Sequence, residues 1–503
     1  MKEIELHWHP YKYFNYEKLL GHREIESVLA PSMIEEVMGR LRVKGDFRNE
    51  LIERLVYFSY ADVDKKRIPT IQYQLERSQA NINGKKRQTT RYSVHGLHEY
   101  KGKFNPQIVN AIFNLCNVKQ NNKILDPFCG SGTSLSEAVH SGLDATGVDI
   151  NPLAVYISNA KILALNIPAK KLKDAFKEIF DIWTGHNIIT FLENDERSQY
   201  LAKWLPDDIH RKLEKIKRII EDYKPEYQQI FLALISDMIR DYSYQEPADL
   251  RIRKRKSPLP STPFGLAVKK KVKLFLENLE AAQKILDTKR SNGKAILMDN
   301  RKSLDQVEEV ISRGPFDFAV TSPPYAMALP YIDTQRLSLV WLNLCKPMNI
   351  NPLEASLVGS REFRNGKKSI NLIEMNSNHW KLPKQVHEFC LKLQSSLSNK
   401  DGFRRQAVPT LLYRYLADMR DSFISVKRVL KKGGQYGLII GYNSTTLGGI
   451  KYKIDTPNLL KLLAEDTGWK TKELLALETY KRYDIHRANS INKEVLLILK
   501  NNA

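Results

Sequence analysis

Lys123-Ile124-Leu125-Asp126 is a short apolar run that ends on an acid and passes directly into Pro127-Phe128-Cys129-Gly130-Ser131-Gly132-Thr133. A proline followed by two closely spaced glycines does not continue a strand, because proline lacks the ladder donor and glycine opens backbone conformations that other residues avoid. Ser131 and Thr133 are suitable N-caps for a following helix, which carries Leu135, Ala138 and Val139 on one face and stops at Gly142. The segment therefore predicts a strand, a glycine turn and a helix. That unit restricts the chain to α/β architectures in which a ligand meets bare backbone at the turn, with Asp126 placed to accept from a ligand amine.

Spacing narrows the ligand. A dinucleotide fingerprint requires a third glycine three positions after Gly132, where this chain has Leu135, and no Gly-Lys-Ser/Thr follows as a P-loop would require. A second strand, Ala145 to Ile150, ends at Asp149, roughly 20 positions beyond the glycines, where nucleotide folds place a ribose-binding carboxylate. The alternative for Asp149 is a solvated acid ahead of a helix starting at Asn151-Pro152. A third strand, Lys294 to Asp299, follows an Asn292-Gly293 turn. A fourth, Phe316 to Val320, feeds Thr321-Ser322-Pro323-Pro324-Tyr325. Two prolines fix two φ angles and remove two donors, so this turn presents the Ser322 and Pro323 carbonyls rigidly beside an aromatic ring. Such acceptors suit the exocyclic amine of a planar base, although a Pro-Pro-Tyr turn alone is equally a chain reversal. Lys432 to Ile440 reads as a further strand, and Leu474–Tyr480 with Glu494–Lys500 as a closing antiparallel pair.

Taken in order, DPFCGSGT, GVDINP and TSPPY resemble the amino-methyltransferases of DNA, which move a methyl group from S-adenosylmethionine to the exocyclic nitrogen of cytosine or adenine. The resemblance spans the motif-bearing parts of the chain. It implies a doubly wound, Rossmann-like α/β methyltransferase sheet with a C-terminal antiparallel hairpin, and S-adenosyl-L-methionine as cofactor. Ser322, Pro323, Pro324 and Tyr325 are then catalytic. Asp126, Phe128, Gly130, Gly132, Thr133, Asp149 and Ile150 are cofactor contacts, and Asp299 resembles the polar residue that meets the cofactor's adenine. His95 to Pro106 is similar to the family element under the methionine end of the cofactor, with Lys103 and Phe104 as its contacts. Serine at the first position of the tetrapeptide is typical of cytosine-N4 enzymes; Asp or Asn is typical of adenine-N6 enzymes, some of which also carry serine. The resemblance thus implies site-specific cytosine-N4 methylation of a flipped-out base, in a restriction-modification or phage-defence setting. Adenine-N6 methylation, amino-methylation of an RNA base and an idle DNA-binding subunit are the alternatives. A covalent cytosine-C5 route requires a cysteine in the catalytic loop, and none of Cys116, Cys129, Cys345 and Cys390 lies there. No metal is expected, because His95 and His98 with scattered cysteines do not make a zinc ligand set.

The motifs are interrupted by long excursions. We divide the chain into an N-terminal appendage (1–90), core segments at 91–165, 291–345 and 411–503, a mainly helical insertion (166–290) and a basic insertion (346–410), either insertion being a candidate DNA-recognition region. In the first, Leu172, Phe176, Ile179, Phe180 and Trp183 share one helical face, and Val268, Val272, Phe275, Leu276 and Leu279 another. Lysine plus arginine number 79 against 57 acids, a net charge of +22 that favours polyanions. Arg251, Arg253, Lys254 and Arg255 precede Pro258, Pro260 and Pro263, which predicts an extended basic loop; Arg361 and Arg364 are further candidate phosphate contacts. Lys269-Lys270-Lys271 lies on a helix and reads as a solvated face. Four cysteines without close pairing, no apolar stretch near the membrane-spanning length of about 18 residues and no secretory h-region at Met1–Leu6 lead us to expect a cytoplasmic, nucleoid-associated bacterial enzyme. Double-stranded DNA is the expected partner, with a cognate restriction endonuclease beside it.

Overall fold

The structure is a computed structural model that describes residues 2–78, 88–185, 192–286, 292–326, 330–363, 368–478 and 493–502. The N-terminal residues form a five-stranded antiparallel sheet of β1 (Lys2–Trp8), β2 (Met33–Val37), β3 (Arg40–Gly45), β4 (Phe58–Val63) and β5 (Lys66–Pro69), in the order β2-β3-β1-β4-β5. Period-2 alternation sends Ile4, Leu6, Leu41 and Val43 inward, while Glu3, Arg40, Arg42 and Lys44 face solvent. This sheet is moored to the rest of the chain through the 106–115 helix. Glu24, buried, accepts from Val56 N and Asn114 Nδ2, and burial pushes its carboxyl up to about 8.

The central sheet has seven strands: β6 (Lys123–Asp126), β7 (Asp144–Asp149), β8 (Gly293–Leu297), β9 (Phe316–Thr321), β10 (Leu430–Gly441), β13 (Trp469–Glu478) and β14 (Lys493–Asn501). Their order is β13-β14-β10-β9-β6-β7-β8. A separate hairpin, β11 (Asn443–Leu447) with β12 (Ile450–Ile454), follows β10. From β10 to β8 the central strands are parallel, and β14 pairs antiparallel with both β10 and β13. The chain builds outward from β6 through β7 to β8, then crosses back to place β9 on the other side. The order therefore reverses between β6 and β9, and the crevice beyond the carboxyl ends of those two strands is where open α/β sheets bind ligands.

The helix after the glycine turn, Thr133–His140, is capped by Gly132 at φ +72°, and not by Ser131 or Thr133 as the sequence predicts. A Cβ at Gly132 would come within 2.7 Å of Ser158 Oγ, so close packing against the 152–166 helix also favours glycine there. Between β7 and β8 the chain is helical, including Ala169–Gly185, Asp207–Glu221, Pro225–Ile239 and Phe264–Ile285. The apolar faces read from the sequence are buried, with Phe180 half-buried. They share one core with Leu153 and Ile157 of the 152–166 helix, so the region packs directly on the sheet's own helical layer. After β9 come short helices and then the 22-residue Val408–Val429 helix, which leads into β10. Among the described residues no helix is long and apolar enough to cross a membrane.

Candidate active site

At the reversal of strand order, Asp126 ends β6 and Thr321 ends β9. The buried Asp126 carboxylate accepts from Thr321 Oγ1 (2.7 Å), Ser134 Oγ (2.5 Å) and Phe128 N (3.0 Å). Desolvation raises its pKa to about 6, against those hydrogen bonds. Asp126 does not line the adjoining cavity, and its donors in this structure come from within the chain. It ties the glycine turn, the following helix and β9 into one unit.

The cavity beyond these strand ends is lined by Phe128 and Gly130 from the turn, Asp149, Ile150 and Asn151 after β7, Met298 to Arg301 after β8, and Ser322 and Pro324 after β9. The turns from four neighbouring strands thus face one space. Asp149 accepts from Gly130 N and Asn151 N, each at 2.9 Å, and desolvation lifts its pKa to about 6. Asn151 caps the next helix through Leu153 N and donates to Gln335 Oε1 at 2.6 Å, so the alternative of Asp149 as a solvated cap does not hold. Gly130 has φ +50°, a conformation that favours glycine, and a Cβ there would meet the Tyr100 ring at 3.4 Å.

Asp299 lines the cavity, but Arg301 grips both its oxygens, Nε at 2.8 Å and a terminal nitrogen at 2.7 Å. Arg301 also pairs with Asp418 at 3.1 Å and donates to Ser356 O at 2.9 Å. Asn300 donates to the Pro127 carbonyl, so the β8 turn braces the glycine turn.

In the Ser322–Tyr325 loop, Ser322 and Pro324 face the cavity while Pro323 is buried. Tyr325 does not line the cavity; its hydroxyl donates to Glu494 Oε1 on β14 at 2.7 Å. One wall comes from a segment with no signal in the sequence, Leu357 and Val358, followed by Gly359 at φ +75°. A Cβ on Gly359 would lie 2.6 Å from the Tyr325 carbonyl oxygen, so only glycine lets this segment close against the loop. Tyr100, Tyr331 and Arg301 are lining residues that sequence reasoning missed. Tyr331, six positions past Tyr325, had a signal in its proximity to the motif.

Several predicted contacts lie elsewhere. Lys103 Nζ turns away and donates to Thr90 O at 2.8 Å, and burial lowers its pKa to about 7; its neighbour Gly102 reaches the cavity instead. Phe104 packs against the core that contains Ile108 and Ile112. Gly132 and Thr133 sit behind the turn and do not line the cavity. Beneath this element the buried Glu137 accepts from Tyr92 Oη (3.0 Å), His95 Nε2 and Asn110 Nδ2, with His140 Nδ1 at 3.3 Å. Burial opposes its ionisation, yet His140 and His95 hold its carboxyl well below the usual range. These groups converge as a metal site would: His95 Nε2 meets Glu137 and His140 Nε2 meets Ser93 Oγ, while the buried His95 Nδ1 makes no hydrogen bond among the described residues.

The basic run is largely structural at one position. Arg255 donates to the carbonyls of Ser243 (2.7 Å), Asp241 (2.6 Å) and Pro258 (3.0 Å), so its guanidinium is engaged by the chain's own backbone. The run is also not a free extended loop, since Lys254 bridges Gln245 and Arg255 N donates to Tyr244 O. Arg253 pairs with Asp249 at 3.0 Å but remains exposed, as does Lys254. Arg361 is exposed between Ser360 and Glu362, whose carbonyls are held by Arg414 at 2.6 and 2.7 Å. Partial desolvation and the charges of Arg251 and Arg404 lower its pKa. Arg364 lies outside the described residues.

The family described as UPF0020, RMKL-like, methyltransferase domain, matches residues 97–170. Type II methyltransferase M.MvaI of Kocuria varians is 24% identical over 428 residues, covering 81% of this chain and 85% of the relative. Type II methyltransferase M.AvaI of Nostoc is 22% identical over 406 residues, covering 76% and 80%. Among solved structures, TrmN from Thermus thermophilus aligns across 99% of both chains at 10% identity and a TM-score of 0.33.

Proposed function

We propose that this chain, a homologue of the type II methyltransferases with S-adenosylmethionine as its cofactor, is a site-specific DNA methyltransferase that acts on the N4 amine of cytosine. The observation that carries this reading is the sharing of one cavity by Ser322 and Pro324 with Gly130 and Asp149. The residues fit the cofactor. Gly130 leaves the backbone bare, the Asp149 carboxylate retains lone pairs for ribose hydroxyls, and Ile150, Phe128 and Met298 supply apolar surface for a planar base. When bound, the cofactor supplies an electrophilic methyl group.

The chain's own residues supply position and charge. The lone pair of an aromatic amine is delocalised into its ring, so the nitrogen becomes nucleophilic only as it is drawn toward sp³ geometry. The Ser322 oxygens, at the cavity and held rigid by the two prolines that follow, accept the amine hydrogens and stabilise the positive charge that develops there. Tyr325, whose hydroxyl is tied to Glu494 outside the cavity lining, anchors the end of this loop. Because pairing hides this amine in a duplex, the target base leaves the stack to reach the cavity. Arg251, Arg253, Lys254 and Arg361 are the candidate phosphate contacts, and the 346–410 segment, which supplies both a cavity wall and Arg361, is the recognition region we favour. Serine at position 322 supports cytosine over adenine, and a restriction-modification setting with a cognate endonuclease accords with the relatives.

Methylating duplex DNA with labelled S-adenosylmethionine and digesting it to nucleosides tests the assignment: N4-methylcytosine is expected, and label only in adenine, or only on RNA, refutes it. Ser322→Ala should remove most activity while leaving cofactor affinity near that of the parent.

A further inference from the structure

Phe403 exposes 70% of its surface, on the short helix Phe403–Gln406, with Arg404 and Arg405 exposed beside it. An exposed phenyl between arginines on a loosely held loop would mean little, but this platform is fixed. Gln406 Nε2 donates to Asp401 O at 2.9 Å, and the Asp401 carboxylate accepts from Ser398 N at 2.9 Å and Gly448 N at 2.8 Å. The helix rests on β11, whose first residue, Asn443, donates to the carbonyl of Ala326 at 2.8 Å. Ala326 directly follows Tyr325. The five-residue β11 thus links the platform to the residue that follows the Ser322–Tyr325 loop. Arg361, three residues past the cavity-lining Val358, lies close enough to Arg404 for their charges to repel. A ring, a set of cations and the cavity wall are therefore gathered in one neighbourhood, as a bound nucleic-acid strand requires.

We propose that Phe403 enters the duplex and fills the place vacated by the flipped base, while Arg361 and Arg404 hold the flanking phosphates; this rests on the base-methylating reading above. A base that leaves the stack leaves a gap one ring thick, and apolar side chains inserted at such steps offset the cost of unstacking. Two other strongly exposed apolar side chains among the described residues lack this setting. Met38 lies between β2 and β3 of the N-terminal sheet, and Ile373 sits on a helix without arginines.

The test uses the full chain and a duplex that it methylates, in two forms, one with the target base normally paired and one with it mispaired, so that flipping costs less. Phe403→Ala is expected to lose roughly tenfold or more in kcat/KM on the paired duplex and to return near the parent rate on the mispaired one, while Phe403→Trp stays near the parent on both. With 2-aminopurine at the target position, Phe403→Ala should show a smaller rise in fluorescence on binding. Parental rates for Phe403→Ala on the paired duplex, or equal losses on both duplexes, overturn the wedge. A parent enzyme that methylates no DNA overturns the reading on which it rests.

Discussion

Thr321 donates its hydroxyl to Asp126 at 2.7 Å across the two strands where the sheet order reverses, so the end of β9 and the start of the glycine turn are joined by one buried bond. Thr321→Val keeps the shape and deletes the donor. Because it leaves a buried carboxylate with one partner fewer, we expect a loss of about 1–3 kcal/mol in denaturant unfolding. Weaker cofactor binding should accompany it in calorimetry, since the same carboxylate holds Phe128 N.

The proposed role of Asp149 in cofactor binding carries a pH dependence. Its folded pKa, about 6, lies above the ordinary 3.8 because burial disfavours the charged form. The sign follows: the native state holds the proton more tightly than the unfolded chain, so this group's contribution to stability is full below pH 3.8 and is lost as pH rises through about 6. In the proposed site affinity runs the other way, because there the ionised carboxylate is the acceptor for ribose hydroxyls. Cofactor binding should therefore weaken as pH falls through 6, and Asp149→Asn should bind more weakly with a flatter profile. Asp126 titrates in the same range, so any slope that persists in Asp149→Asn reports on it.

Gly359→Ala forces an alanine into the left-handed region and sets its Cβ 2.6 Å from the Tyr325 carbonyl oxygen, backbone against which there is little room to relax. We expect the Leu357–Val358 wall to be displaced. Turnover should fall at least tenfold at saturating cofactor, with about 1–3 kcal/mol lost in stability. A parental kcat would show that the wall is dispensable.

Arg253 and Arg255 stand two residues apart in the same basic run and should behave differently. Arg253→Glu should weaken DNA binding and reduce the slope of log affinity against log salt, while thermal stability stays near parental. Arg255→Ala removes the donor that holds the carbonyls of Ser243, Asp241 and Pro258, so its chief effect should be a lower Tm.

What was legible in the sequence is local. Pro127, Gly130 and Gly132 mark a turn whatever surrounds them, because proline and glycine restrict or release φ in their own residues. Likewise Pro323 and Pro324 make a rigid turn wherever the strand before them goes. The apolar faces at 172–183 and 268–279 declare helices by period alone. Asp149 could be singled out because a strand-end acid at that distance from the glycines is itself a local pattern.

The partners of those residues were not legible. Nothing near Asp299 in the chain indicates that Asp418, from a helix more than a hundred residues later, completes the hold on Arg301. Lys103 turns toward Thr90 and Arg255 toward carbonyls around position 240 because burial favours satisfied polar groups over exposed ones, and which groups become buried depends on how surfaces meet.

The sequence by itself determined the α/β class, the two turns and the residue types that face a ligand, since short-range sterics and periodicity act through neighbouring residues. Only the tertiary structure decided that β9 lies beside β6, that Gly359 closes a wall against Tyr325 and that Phe403 is raised on β11. Those relations arise from the burial of surfaces distant in the chain, a free-energy balance that no single segment encodes.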